Sequence, residues 1–252
     1  MQDPRLKENE KLYTVNDGLQ LIQNTNHLLF GSDALLLAGY LRKAERAAEL
    51  GAGNGIVSLL CAARGRFAHV DGYEFQPEVR ELFQRNIELN GLSHRVTALE
   101  RDIRALPAGL GGSYDCVFSN PPYMKTSAGK CCLSDARQIA RHETAGEIGD
   151  FAAAAGMLLK HGGEAVFVYR PDRLADLIFA FRQAGLEPKR LTFVSSDPAH
   201  APSVLLLAGK KGGKSGLYLT PHFFLKDASG VQSPEYTELL EKGIFHERFF
   251  RP

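Results

Sequence analysis

The chemistry in this chain is concentrated at Asn120-Pro121-Pro122-Tyr123, which follows Ser119 and the apolar run Tyr114-Asp115-Cys116-Val117-Phe118. Proline fixes φ and has no N–H to donate. The carbonyls around such a pair are therefore left to accept hydrogen bonds from something other than the local backbone. The Asn120 side-chain oxygen and the Pro121 carbonyl are spaced to accept from a single NH2 group. Tyr123 is placed to stack on the flat ring that carries it. A polar side chain, two prolines and an aromatic at the end of a buried strand are poor choices for folding alone, so they are read as a binding feature.

The elements that must position these residues alternate. Short strands are expected at 47–50, 69–74, 95–99, 114–118, 164–169, 189–194 and 203–207, and helices at 56–63, 77–89, 148–160 and 172–184. Pro77 suits a first helical turn, and Gly162-Gly163 and Gly185 read as helix stops. Strands separated by helices of this length imply a parallel sheet covered on both faces. The last two strands have no helix between them and should be antiparallel neighbours. The expected fold is therefore α/β and Rossmann-like, with a seven-stranded, mostly parallel sheet, one antiparallel strand, and helices on both faces.

In such a sheet ligands bind beyond the carboxyl ends of the strands, and three features fall there. Gly51, Gly53 and Gly55 form a tight turn after the strand ending in Glu49-Leu50. The pattern is G-x-G-x-G, with Ile56 where a dinucleotide fingerprint has its third glycine. Glu74 ends the next strand, where a carboxylate can accept from two ribose hydroxyls. Asp102 ends the third, suited to an adenine amino group. Either acid alone reads equally well as a solvated loop residue; three acids and three glycines at successive strand ends read as one site. Upstream, Ser32 or Asp33 is a good N-cap for a helix. Its leucines are explained by packing alone or, with Phe30 and Asp33, by a cover over a cofactor.

Composition narrows the classes. The chain has 252 residues, 44% of them hydrophobic, and a net charge of +1. A large core is affordable, and there is no global electrostatic footprint for non-specific nucleic-acid binding. No apolar run reaches the roughly 18–20 residues of a membrane span, and the charged start, 1–11, lacks the apolar core of a signal peptide. Cys61, Cys116, Cys131 and Cys132 form no C-x-x-C pair, which fits reduced thiols in a cytoplasmic protein. No histidine or cysteine has metal-ligand spacing to the Cys131-Cys132 pair, so no metal is expected. The chain divides into a β element and cap helix at 1–44, with an Asp17-Gly18 hairpin signal, a core at 45–209, and a glycine- and lysine-rich loop with a tail at 210–252.

Glu49-Leu-Gly-Ala-Gly-Asn-Gly55, then Glu74, Asp102 and Asn-Pro-Pro-Tyr, resembles the class I S-adenosylmethionine-dependent methyltransferases. The Asn-Pro-Pro-Tyr form is typical of those that methylate a planar nitrogen. Phe30-Gly-Ser-Asp-Ala-Leu-Leu-Leu37, Ala140-Arg-His-Glu143 and Gly209-Lys-Lys-Gly-Gly213 resemble stretches of the bacterial tRNA1(Val) adenine-37 N6-methyltransferase family. The resemblance implies that Gly51, Gly53 and Gly55 pass under the methionine part of the cofactor, with Glu49 beneath them. It implies that Glu74 holds the ribose, with Phe75 also at the cofactor, that Asp102 and Ile103 hold the adenine, and that Asn120 to Tyr123 hold the target base. A tRNA substrate needs positive charge for its phosphates. Lys125, Lys130, Arg137 and Arg141, and Lys210, Lys211 and Lys214 in the glycine-rich stretch, are the candidates; the lysines read equally as a solvated face. Glutamine N5 of a protein and guanine N2 of ribosomal RNA are the neighbouring target chemistries, and an RNA-binding protein of the same fold without turnover is the non-enzyme alternative.

Overall fold

The computed structural model describes residues 5–25, 31–121 and 146–251. A two-stranded antiparallel hairpin, β1 (Glu10–Thr14) and β2 (Gln20–Asn24), leads into helix α1 (Ser32–Tyr40). Strand and helix then alternate: β3 (Ala44–Leu50), α2 (Ile56–Ala63), β4 (Phe67–Glu74), α3 (Pro77–Leu89), β5 (Val96–Glu100) and β6 (Tyr114–Ser119). After the second gap come α4 (Ile148–Leu158), β7 (Leu159–Tyr169), α5 (Leu174–Gln183), β8 (Leu186–Ser195) and β9 (Val204–Lys211). The tail adds β10 (Tyr218–Leu219), β11 (Phe223–Phe224) and α6 (Pro234–Lys242).

The main sheet runs β10-β8-β9-β7-β6-β3-β4-β5, with β11 also on β8. Only β9 is antiparallel to its neighbours, β7 and β8. The seven expected strands and the single reversed one are all present. The two short strands from the tail are additional; they pair in parallel with β8 and bring the sheet to nine. Two apolar cores flank it. One gathers α1, α2 and α3 with tail residues Phe223, Leu239, Phe245 and Phe249. The other gathers α4 and α5 with Ile103. The tail packs on α1: the Phe245 N–H donates to the Gly39 carbonyl at 3.1 Å, and a Cβ on Gly39 would sit 2.1 Å from Leu239.

Two local expectations are corrected. Helix α4 ends at Leu158 and β7 starts at once, so Gly162-Gly163 lies within a strand rather than stopping a helix. Gly162 has φ +82°, and a Cβ on Gly163 would meet the Asp115 carbonyl at 2.9 Å; the β6–β7 register shifts beside them. The pair serves a bulge, which needs the same freedom as a helix stop. Strand β9 also runs through Lys211, so Lys210 and Lys211 are strand residues, not loop residues. No helix among the described residues is long and apolar enough to cross a membrane.

Candidate active site

Parallel pairing places the motif ends side by side. Leu50 of β3 is in register with Ser119 of β6 and with Tyr73 of β4, and Glu74 is in register with Glu100 of β5. The glycine turn, Asn120 and Glu74 thus start from adjacent strand tips, about 4.8 Å apart per step. Ser119 fixes one junction: its buried hydroxyl donates to the Leu50 carbonyl at 2.7 Å. Asn120 is half-buried and Pro121 buried at the same edge.

The three glycines do different work. All have left-handed φ, at +66°, +57° and +83° for Gly51, Gly53 and Gly55. A Cβ on Gly55 would stand 1.9 Å from the Phe83 ring, and one on Gly51 3.2 Å from Phe151, so these two allow close packing on helices α3 and α4. At Gly53 a Cβ would meet nothing within 4 Å. Gly53 is therefore the position where the turn faces open space and a ligand can lie against bare backbone.

Two buried acidic side chains brace this region, one on the turn and one on the helix that follows it. Glu74 accepts from the Gly53 N–H and the Gln76 N–H, both at 3.0 Å. Burial raises its pKa even against these backbone donors. Each carboxylate oxygen has two lone-pair sites, so Glu74 retains acceptor capacity toward a ligand. Glu49 reaches into α2, accepting from the Ser58 N–H at 3.1 Å and from the Ser58 hydroxyl. Burial pushes its pKa up to about 8, and the Glu74 charge adds to the rise.

Asp102 is held by its own turn. It caps its own turn, accepting from the Arg104 N–H at 2.9 Å, and pairs with the Arg104 guanidinium at 2.6 Å. Arg104 holds its carboxyl below the usual carboxylate range. Ile103 beside it is buried in the α4 core, and Phe75 is half-buried. Asp33 stands on the first turn of α1 and lines an open cleft with Arg170, Asp172 and Ser203, also at the carboxyl edge. The expected positions Phe30, Pro122, Tyr123, Lys125, Lys130, Arg137 and Arg141 lie outside the described residues.

The lysines of the glycine-rich stretch are not brought to this edge. Because β9 is reversed, its first residue, Val204, lies at the carboxyl edge and Lys211 lies at the opposite one. The strand's length separates them by roughly 23 Å. There the Lys211 ammonium donates to the Leu159 carbonyl at 2.7 Å, and Lys189 donates to the Lys214 carbonyl at 3.0 Å.

Sequence reasoning missed a second support for the turn. Asn86 of α3 is fully buried. Its amide accepts from the Ile22 N–H at 2.8 Å and donates to the carbonyls of Ile22 at 3.1 Å and Asn54 at 3.0 Å. One turn on, Asn90 accepts from the Gln20 N–H at 2.9 Å and donates to the Gln20 carbonyl at 2.7 Å. Four helical residues rise about 6 Å and two strand residues about 6.8 Å. The two periods nearly coincide, so an asparagine pair spaced i, i+4 serves as the missing partner strand of β2. Glu10 of β1 adds an ion pair with Arg85 at 2.7 Å. The N-terminal hairpin is thus bolted to α3, and through Asn86 to the glycine turn. The i, i+4 asparagines are the signal in the sequence.

Residues 25–175 match the family described as methyltransferase small domain. Curated relatives include tRNA1(Val) (adenine(37)-N6)-methyltransferases. That of Porphyromonas gingivalis is 28% identical over 232 residues, spanning 88% of this chain and 89% of the relative. That of Tolumonas auensis is 28% identical, spanning 84% and 88%. Among solved structures, Agrobacterium tumefaciens protein Atu636, described as a predicted O-methyltransferase, superposes with a TM-score of 0.69 at 25% identity, over 85% of this chain and 98% of that one. Methanocaldococcus jannaschii TYW2 in complex with AdoMet shares the fold, at TM-score 0.55 and 16% identity, over 82% and 88%. With a family match over more than half its length and a glycine cradle at the switch point of a class I sheet, the chain belongs to the methyltransferase small domain family and is an S-adenosylmethionine-dependent methyltransferase.

Proposed function

We propose that the chain methylates N6 of an adenine in tRNA, at position 37 of a valine tRNA as the names of its relatives state for them. The observation that carries the reading is the adjacency of the Gly53 cradle and Asn120-Pro121 on neighbouring strand tips, locked by the Ser119–Leu50 hydrogen bond. The cradle fits S-adenosylmethionine: bare backbone at Gly53, with the Glu74 carboxylate one strand away. The bound cofactor supplies a methyl group on a positively charged sulfur.

What remains for the protein is placement. An adenine amino group is a poor nucleophile because its lone pair is delocalised into the ring. Acceptance of its two N–H bonds, by the Asn120 side-chain oxygen and the Pro121 carbonyl, favours a pyramidal nitrogen with the lone pair directed at the cofactor. Alignment of this kind is worth several kcal/mol of barrier. The proton leaves after the methyl arrives, so no strong base is needed beforehand. Tyr123, by its place in the motif, stacks on the base, and the base is taken from an unpaired loop or flipped from its stack.

The test is transfer of labelled methyl from S-adenosylmethionine to unmodified bulk tRNA, followed by nucleoside analysis. N6-methyladenosine is expected, in valine tRNA on fractionation. Label absent from RNA refutes the reading, and label in a protein glutamine or in N2-methylguanosine replaces it with that target.

A further inference from the structure

The carboxyl edge of the sheet continues past Asn120 in a direction the motif does not explain. From the β6 tip the edge runs over the end of β7, the start of β9 and the end of β8 to β11, which pairs Phe223 with Val194 and Phe224 with Ser195. That is four strand spacings, about 19 Å. Midway lies the open cleft lined by Arg170, Asp172, Pro202 and Ser203.

At the far end two flat rings are stacked. His222 lies on Phe224 with centroids 4.5 Å apart and planes 13° apart, and Phe193 flanks the imidazole at 6.5 Å. His222 is exposed while Phe224 is half-buried, so the imidazole is the water-facing member of the stacked pair. The ring is held in place: His222 Nε2 is hydrogen-bonded to the buried Ser195 hydroxyl at 2.9 Å. Partial burial lowers its pKa. The nearby acids are occupied in their own turns, Asp197 with His200 at 2.7 Å and Asp227 with the Ser229 N–H at 2.8 Å. Lys226, two residues beyond Phe224, is exposed and makes no ion pair with a described residue.

A fixed, exposed aromatic ring stacked on a second one, with an exposed lysine four residues along the chain, is the arrangement that takes an unpaired base and its phosphate. We propose that the His222–Phe224 pair is a stacking platform for a second unpaired base of the RNA, with the chain between that base and the target crossing the cleft at Arg170 and Ser203. This rests on the RNA reading above and extends it to a residue pair outside the motif. It also gives the tail a binding role in addition to its packing on α1.

The test uses the full-length protein and the same unmodified tRNA. The readouts are RNA Kd and KM, affinity for S-adenosylhomocysteine, and melting temperature. His222→Ala is expected to weaken RNA binding about five- to ten-fold, toward the low end of the effect of removing a base-stacking ring. Cofactor affinity stays at the wild-type value, and the melting temperature falls by only a few degrees, from the lost Ser195 hydrogen bond. His222→Trp, which keeps a flat face, is expected to restore RNA binding. RNA affinity of His222→Ala within two-fold of wild type overturns the platform, as does equal weakening by both substitutions. Wild-type protein that binds RNA without methylating it refutes the proposed function, and the same Kd series still decides the platform. Wild-type protein that binds no RNA overturns both.

Discussion

Asn86 links the N-terminal hairpin to the glycine turn, and its removal should show in stability and in cofactor binding together. Asn86→Ala deletes three hydrogen bonds and leaves the Ile22 N–H, the Ile22 carbonyl and the Asn54 carbonyl without their partner. Ile22 is 2% exposed, so water does not replace the amide there; Asn54 is half-buried and rehydrates in part. At about 1–3 kcal/mol for each stranded buried group, discounted for non-additivity, the loss is about 3–4 kcal/mol. For a chain of this size that lowers the melting temperature by roughly 10 °C. Asn90→Ala is the control. Its partner Gln20 is half-buried, so water substitutes and the cost falls to about 1 kcal/mol. Only Asn86 touches the turn, so only Asn86→Ala should also weaken S-adenosylhomocysteine binding, by about ten-fold in titration calorimetry, as Gly53 and Asn54 lose their fixed geometry. Melting of Asn86→Ala within 2 °C of wild type, or equal loss of cofactor affinity in both variants, would refute the coupling.

The division of labour among the glycines gives a paired test. Gly55→Ala forces a left-handed alanine against the buried Phe83 ring and should cost about 3–5 kcal/mol of stability. Gly53→Ala pays only the backbone cost of about 1–2 kcal/mol, folds, and loses S-adenosylhomocysteine binding because its methyl enters the cradle; cofactor affinity retained in a folded Gly53→Ala would remove Gly53 from the site. Glu49, with its pKa raised from 4.5 to about 8 by burial, keeps its proton in the folded chain across a range where the unfolded chain releases it. Its contribution is therefore full below pH 4.5 and is lost as pH rises through about 8. Denaturant titrations should show wild-type stability falling by about 3 kcal/mol from pH 5.5 to 8, a slope that Glu49→Gln largely flattens; parallel slopes would count against a protonated Glu49. Asn120→Ala is expected to abolish methyl transfer with cofactor affinity kept within a few-fold, and appreciable turnover in it would show that the amino-group clamp is wrong.

The sequence carried the layout of the fold because parallel topology leaves little choice. Once 47–50, 69–74 and 114–118 are strands joined by helices, their ends must share one edge, and Gly53, Glu74 and Asn120 arrive there together. What it did not carry was the partner of each polar group. Asp102 is an acid after a strand whether it faces a ligand or caps its own turn on Arg104, and residue type does not separate the two. Asn86 and Asn90 show only their i, i+4 spacing in the sequence, since their partners lie 64 and 70 residues away on β2. The lysines lie away from the glycine turn for a geometric reason. Lys210, Lys211 and Lys214 end or follow β9, and β9 is the reversed strand. Its end points away, and its beginning, with the 196–203 loop before it, lines the carboxyl edge. In any sheet of this topology the substrate-facing residues near the reversed strand therefore precede it rather than follow it. The same reversal leaves the end of β8 at the substrate edge, where Phe193, Ser195 and the tail strand carrying Phe224 meet.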